Sequence, residues 1–294
     1  MRTYDYVTVD VFTDRRFGGN QLAVFPDARG MSDGDMQALA AEMNLSETTF
    51  VLPPADSANT ARVRIFHRTA EMPFAGHPNV GTGYVLADRA VDGLLRFEEI
   101  AGLVEVRLDR DAAGAVTGAT IAAPQALKIG PEMTIEIAAA CAGIDPGGIV
   151  TTRHHPTIAS DGGNPRLLVE VTEAAMTAAS PDIAAFRRAV EAEPVLGGKL
   201  ALYLYRAEGT GLRTRMFSPL VGTWEDAATG SAATPLAGFL LFLSGQDEGA
   251  WVMTQGVEMG RPSVLRTTAR RMADGIRATV GGGCVPMFRG SVTL

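Results

Sequence analysis

Two short segments place a glycine beside a polar side chain just ahead of a small, apolar stretch: Ala75-Gly76-His77-Pro78 and Thr229-Gly230-Ser231. If each opens a helix, each presents unpaired backbone N–H groups and a partial positive charge. Glycine also lets a ligand approach the main chain closely. Two such ends facing one cleft would hold a carboxylate or an enolate oxygen, although each alone also reads as an ordinary helix start. Glu47 follows Ser46 in a short joint between a helix ending at Asn44 and the apolar strand Thr48-Thr49-Phe50-Val51-Leu52. A carboxyl at the mouth of a buried strand is partly desolvated, which raises its pKa. That suits a group that takes and returns a proton near neutral pH, and a surface glutamate in a joint has the same appearance. His77 reads as a site residue or as a cap. Asp226, after Glu225, reads as a site acid or as a residue matched to the helix dipole.

Other polar clusters point away from familiar chemistries. His154-His155 lies in a polar loop without ligand partners at useful spacing, so no metal site is expected. His67 ends a strand and is expected to face solvent. Gly281-Gly282-Gly283 is followed by neither a Lys-Ser/Thr pair nor a helix, so it is not a phosphate loop, and no dinucleotide fingerprint occurs. No Gly-x-Ser-x-Gly elbow surrounds Ser231, which makes it a poor hydrolase nucleophile. The expectation is therefore an enzyme without cofactor or metal. Two cysteines, Cys141 and Cys284, do not make a disulfide framework in 294 residues. Cys141, in an alanine-rich helical stretch, reads as a small buried residue.

The positioning elements follow from periodicity. Ser32 caps a helix to Met43, with Met36, Leu39, Ala40 and Met43 on one face. A helix near Asn79–Arg89 follows the first glycine segment, and one of small and apolar residues reaching Leu243 follows the second. Further helices are expected over Glu132–Ala142 and from a Ser180 cap, with Pro181 at the first helical position, to Glu191. Strands are expected over 6–12, 21–25, 48–52, 62–66, 95–99, 104–108, 120–122, 167–171, 200–205, 213–217, 251–254, 263–267, 276–280 and 286–289. They come as hairpins and short pairs, which predicts an antiparallel α+β fold rather than a doubly wound parallel sheet. The order helix, strands, glycine segment, small-residue helix, strands occurs twice. A change of pattern around 124–131 places a boundary between domain 1–125, joined by a C-terminal strand at about 282–294, and domain 126–281.

The hydrophobic fraction is 46% and the charged fraction 20%, ordinary for a folded chain. A net charge of −7 argues against nucleic acid as partner. The three arginines between 266 and 271 read as a solvated strand edge. No apolar run reaches the roughly 20 residues a membrane span needs, and no leader-like segment opens the chain. A cytoplasmic protein with reduced thiols and no membrane partner is expected.

Taken together, Val9-Asp10-Val11-Phe12-Thr13-Asp14 with Phe17-Gly18-Gly19-Asn20, Met43-Asn44-Leu45-Ser46-Glu47-Thr48-Thr49-Phe50-Val51, Pro73-Phe74-Ala75-Gly76-His77-Pro78, Glu225-Asp226-Ala227-Ala228-Thr229-Gly230-Ser231-Ala232, and Gln255-Gly256 with Gly260-Arg261-Pro262-Ser263 resemble the PhzF family of phenazine-biosynthesis isomerase-like proteins. The resemblance implies a diaminopimelate-epimerase-like fold: two pseudo-symmetric domains, each with antiparallel strands wrapped around a central helix, and a site in the cleft between them. It places the family's acid–base glutamate on Glu47, its site histidine on His77 and its site aspartate on Asp226. Its substrate-contacting positions fall on Ser46, Gly76, Gly230 and Ser231, and it suggests a homodimer. The family commonly has Asp-Pro where this chain has Asp226-Ala227. Losing the proline removes a fixed φ, so a looser loop is expected there. Related racemases use two cysteines, one at each helix start. Ala75 and Thr229 occupy those places here, which argues against a two-thiol mechanism.

The resulting expectation is a cofactor-independent isomerase that moves a proton, and with it a double bond, on a small anionic metabolite similar to trans-2,3-dihydro-3-hydroxyanthranilate. The alternatives are an epimerase or racemase of a small amino or hydroxy acid, and a non-catalytic metabolite-binding or interaction protein on the same fold.

Overall fold

The computed structural model describes residues 1–196 and 198–294. The chain divides into two compact units, Met1–Pro124 with Thr279–Leu294, and Gln125–Ala278. In chain order the elements are β1 (Thr3–Val11), β2 (Asn20–Phe25), α1 (Asp33–Met43), β3 (Glu47–Leu52), β4 (Ala61–His67), β5 (Glu71–Met72), α2 (Gly76–Val85), β6 (Leu94–Glu99), β7 (Gly102–Arg110) and β8 (Val116–Ala122). There follow β9 (Lys128–Glu132), α3 (Ile135–Ala142), β10 (Thr157–Ser160), β11 (Arg166–Glu170), α4 (Glu173–Ala178), α5 (Ile183–Ala192), β12 (Leu202–Glu208), β13 (Gly211–Ser218), β14 (Thr223–Asp226), α6 (Gly230–Ser244), β15 (Glu248–Gln255), β16 (Ser263–Met272) and β17 (Gly275–Thr293).

In the first unit the strands pair in the order β1, β2, β3, β4, β6, β7, β8. β17 closes the ring, pairing with β8 over Thr279–Gly283 and with β1 over Cys284–Thr293. The changeover falls at the three glycines, which thus have a packing role. A Cβ on Gly283 would come within 2.6 Å of the Thr13 carbonyl oxygen. The ring encloses α2, whose residues Gly76–Gly83 are all buried. Glycine, proline, threonine and valine are weak helix formers, so this helix rests on its enclosure rather than on propensity. A Cβ on Gly81 would sit 2.6 Å from Leu22. α1 covers the opposite face, where Phe25 stacks on Phe50 and Phe66 meets Phe50 edge-on.

In the second unit the order is β9, β10, β11, β12, β13, β15, β16, with β14 beside β13. The helices α3, α4 and α5 cover one face through a core that includes Phe186, Leu167, Leu202 and Phe217. α6 packs on the other face against β10, β11, β15 and β16. Its residues from Ala232 to Leu241 are buried, and Pro235 lies inside it.

The two units repeat one set of pairings. β1–β2, β3–β4, β4–β5 and β6–β7 are antiparallel, as are β10–β11, β12–β13, β13–β14 and β15–β16. β2–β3 and β4–β6 are parallel, as are β11–β12 and β13–β15. These parallel pairs lie among the antiparallel pairings that the α+β expectation described. Each joins strands connected through a helix or a short excursion, a link that hairpin reasoning does not detect. Three helix boundaries also differ: α2 runs from Gly76 to Val85 rather than from Asn79 to Arg89. Residues 128–132 form a strand, so α3 starts at Ile135 behind a Thr134 cap, and α5 is capped by Asp182 rather than Ser180. Among the described residues no helix is long and apolar enough to cross a membrane.

Candidate active site

In a strand, alternate side chains share a face. Phe50 of β3 faces α1, and the Thr49 hydroxyl lies 2.9 Å from that of Thr82 in α2. Glu47 therefore shares the α2-facing side with Thr49. Two strand residues advance about 6.6 Å and five helix residues about 7.5 Å, so the same register brings Glu47 to His77. Glu47 Oε2 is 3.4 Å from His77 Nε2, with the two side chains 14% and 6% exposed.

Burial holds His77 at a pKa of about 3, against the opposing effect of a hydrogen bond with the Gln21 backbone. Burial thus favours the neutral form of the imidazole beside Glu47. Its Nδ1 lies 3.4 Å from Asn20 Nδ2, and Asn20 Oδ1 accepts a 3.0 Å hydrogen bond from Ser46 Oγ. Ser46, Glu47 and His77 thus form one cluster at the start of α2. Ala75 is the N-cap, and no side chain caps that turn. In the same turn Asn79 Nδ2 donates to the Ala75 carbonyl at 3.0 Å. Glu99, at the end of β6, is pushed up to about 8 by burial, and the Asn79 amide acts against the shift.

In the second unit, α6 starts at Gly230 behind Thr229, again without a side-chain cap. Asp226 ends β14, and its Oδ2 accepts from the Thr229 hydroxyl at 2.5 Å. Glu225 pairs with Arg215 at 2.8 and 2.9 Å, which separates its role from that of Asp226. Gln255 is fully buried and holds the intervening loop: its Nε2 donates to the Asp226 carbonyl at 2.8 Å and to Thr229 Oγ1 at 3.0 Å. Its Oε1 accepts from Thr229 N–H at 3.3 Å and from the Tyr203 hydroxyl at 3.0 Å. These bonds tie Gln255 to the backbone and side chains at both ends of the loop that carries Ala227. Ser231 Oγ accepts from Arg166 Nη2 at 3.1 Å.

The remaining polar candidates serve packing. His154 is buried, stacked on Tyr205 and edge-on to Phe239, with Nε2 2.6 Å from the Tyr205 hydroxyl. The polar-loop expectation thus fails for its side chain. His67 is half-buried, with Nδ1 3.3 Å from Thr69 Oγ1, rather than turned to solvent. Among the described residues no group of three or more His, Cys, Asp or Glu side chains could hold a metal ion. Cys141 and Cys284 are buried thiols in α3 and β17, the latter with Sγ 3.9 Å from the Val80 carbonyl of α2, and neither occupies the position of Ala75 or Thr229 at a helix start. A surface hollow of about 480 Å³, lined by Tyr84, Arg89 and Arg289 among others, includes neither Glu47 nor His77.

Asn20, Asn79, Glu99, Arg166 and Gln255 were not site expectations from the sequence. Gln255-Gly256 appeared there only as a motif. Asn20 and Arg166 reach their clusters through strand pairing, which local spacing does not encode.

Comparison with known proteins places this geometry. The family model described as phenazine biosynthesis-like protein matches residues 9–290. A trans-2,3-dihydro-3-hydroxyanthranilate isomerase of Pseudomonas chlororaphis is 36% identical, covering 99% of this chain and 100% of its own. A crystal structure of the Bacillus anthracis phenazine biosynthesis protein of the PhzF family matches with a TM-score of 0.88 at 21% identity, over 100% of both chains. A hydroxyproline epimerase from Agrobacterium vitis matches with a TM-score of 0.64 at 13% identity, over 100% of this chain and 93% of its own. The strand-rich fold is therefore one shared by PhzF proteins and amino-acid epimerases.

Proposed function

Because the chain belongs to the phenazine biosynthesis-like, or PhzF, family and is an isomerase of that kind, we propose that it moves a proton, and with it a double bond, on a small unsaturated carboxylate related to trans-2,3-dihydro-3-hydroxyanthranilate. The observation that carries this reading is the shielded Glu47 carboxyl beside an imidazole that burial keeps neutral. With His77 neutral, Glu47 takes a proton from an activated carbon, exchanges it with solvent as a carboxylic acid, and delivers a proton to a different carbon of the same conjugated system. No net proton, electron or group is gained or lost. The proposal needs no cofactor. His77 acts as the orienting partner of Glu47, held in turn by Asn20, and Ser46 completes that hydrogen-bonded set.

In the first unit, the uncapped start of α2 at Gly76-His77 is suited to bind the negative charge that develops beside Glu47, and in the second unit the start of α6 at Gly230-Ser231 is likewise uncapped. Asp226, its carboxylate fixed by Thr229, is assigned as the second polar site residue. The recurrence of the same pairings in both units supports two pseudo-symmetric domains, each built around one central helix. Two buried free thiols suit a reducing, cytoplasmic setting, and a homodimer completes the proposal.

General acid–base catalysis is worth about 10² to 10⁴-fold. Glu47→Gln should therefore lower turnover of trans-2,3-dihydro-3-hydroxyanthranilate by at least about a hundredfold, with the fold intact by circular dichroism. Undiminished turnover would overturn the assignment. Epimerisation is the second reading and draws on the shared fold, with Ala75 and Thr229 at the helix starts in place of thiols. It would appear as exchange with inversion at one carbon rather than migration between two. A pure metabolite-binding protein would bind ligand without any exchange.

A further inference from the structure

Arg166 opens β11 on the face opposite Leu167, which belongs to the core under α3–α5. Strand alternation therefore aims it toward α6. The arginine is 7% exposed, and its guanidinium donates to Ser231 Oγ at 3.1 Å. A guanidinium has five N–H donors and no acceptor, whereas a hydroxyl has one proton and two lone pairs. With a lone pair engaged by Arg166, the Ser231 proton is directed to an acceptor elsewhere. Ser231 remains partly exposed, in the first turn of a helix whose positive end no side chain caps.

Charge reinforces this arrangement. Arg166 is fixed as a cation. Asp161, the acid that faces it electrostatically, is pushed up to about 7 by burial against the opposing pull of Thr234 and Arg166.

We propose that Arg166 is a positioning residue that makes Ser231 a one-way hydrogen-bond donor to an anionic group of the substrate, and so selects carboxylates over their uncharged analogues. The proposal deepens the isomerase reading and rests on it for the identity of the ligand. It places the ligand's charge at the start of α6 and attributes the preference for charge to a buried side chain that need not touch the ligand.

The test is binding of two aromatic probes, 3-hydroxyanthranilate and its primary amide, by isothermal titration calorimetry to the full chain. Deuterium exchange of trans-2,3-dihydro-3-hydroxyanthranilate is followed in parallel. Wild type should prefer the acid over the amide. Arg166→Met and Ser231→Ala should each weaken acid binding by about tenfold to a hundredfold, the range expected for a lost hydrogen bond with charged character. Amide binding should change little, and the double variant should lose no more than the worse single variant, because the two act as one unit. Arg166→Lys keeps the charge and a donor and should recover part of the loss, which a merely structural arginine would not show. It also serves if the methionine variant does not fold. An unchanged preference for the acid in a folded Arg166 variant, fully additive losses, or equal wild-type affinity for acid and amide would each overturn the proposal. Acid selectivity that depends on Arg166, without deuterium exchange, would support this inference and contradict the isomerase reading instead.

Discussion

Replacing Glu99 by glutamine should reshape the pH dependence of stability. Burial pushes the Glu99 carboxyl up to about 8 against the opposing pull of the Asn79 amide, and both its oxygens are shielded from water. The folded state therefore holds the proton through neutral pH, while the unfolded chain releases it near the ordinary carboxyl value. Whenever the unfolded state binds fewer protons, stability falls as pH rises. The contribution of Glu99 is thus fully present below the ordinary carboxyl range and is lost progressively toward about pH 8. Between about pH 5 and about pH 7 the linkage relation gives a loss of roughly 2 to 3 kcal/mol, at about 1.4 kcal/mol per pKa unit. Glu99→Gln keeps the shape and a donor for Asn79 but does not ionise. Its stability relative to wild type should rise by that amount over the same interval, equivalent to about 5–10 °C in melting temperature for a unit of this size. Urea unfolding at both pH values, followed by far-UV circular dichroism with one transition fitted per unit, measures it. A stability difference between variant and wild type that does not change with pH would refute the argument that Glu99 is a buried, protonated acid.

Gln255→Leu should free the Asp226–Thr229 loop and leave buried donors unpaired, costing about 1–3 kcal/mol per orphaned group; faster amide exchange over residues 226–229 checks it. Cys141 and Cys284, the first pushed up to about 12 and the second also raised by burial, should resist a thiol reagent in the native state and react fully once unfolded. Rapid native labelling would contradict their placement. Burial lowers the pKa of His154, so the stability tied to its neutral form is present above about pH 6.5 and declines as pH falls. His154→Gln should flatten that acid limb in thermal melts, and an unaltered limb would count against the neutral stacked imidazole.

The starts of α1, α2 and α6 were legible because their signals are local. A glycine beside a polar residue ahead of a small-residue helix does open α2 and α6, and Ser32 does cap α1 with a capping box to Asp35. The parallel pairs β2–β3 and β13–β15 were not legible, since their partners are set by a helix crossing between them rather than by a turn. β10 and β14 are four residues each, too short for alternation to stand out. His154 illustrates a further limit. Its polar neighbours suggested solvent, but Tyr205 and Phe239, far away in sequence, enclose it. Gln255 and Arg166 escaped for the same reason, because each acts on a loop or hydroxyl more than 25 residues distant in sequence.

The most direct test of the central claim is proton NMR of trans-2,3-dihydro-3-hydroxyanthranilate turning over in D₂O, with wild type beside Glu47→Gln. The account predicts that wild type shifts the double bond and leaves deuterium at the newly protonated carbon, and that Glu47→Gln abolishes both on the same timescale. Migration that persists in the variant, or deuterium confined to the original carbon with inverted configuration, would contradict it.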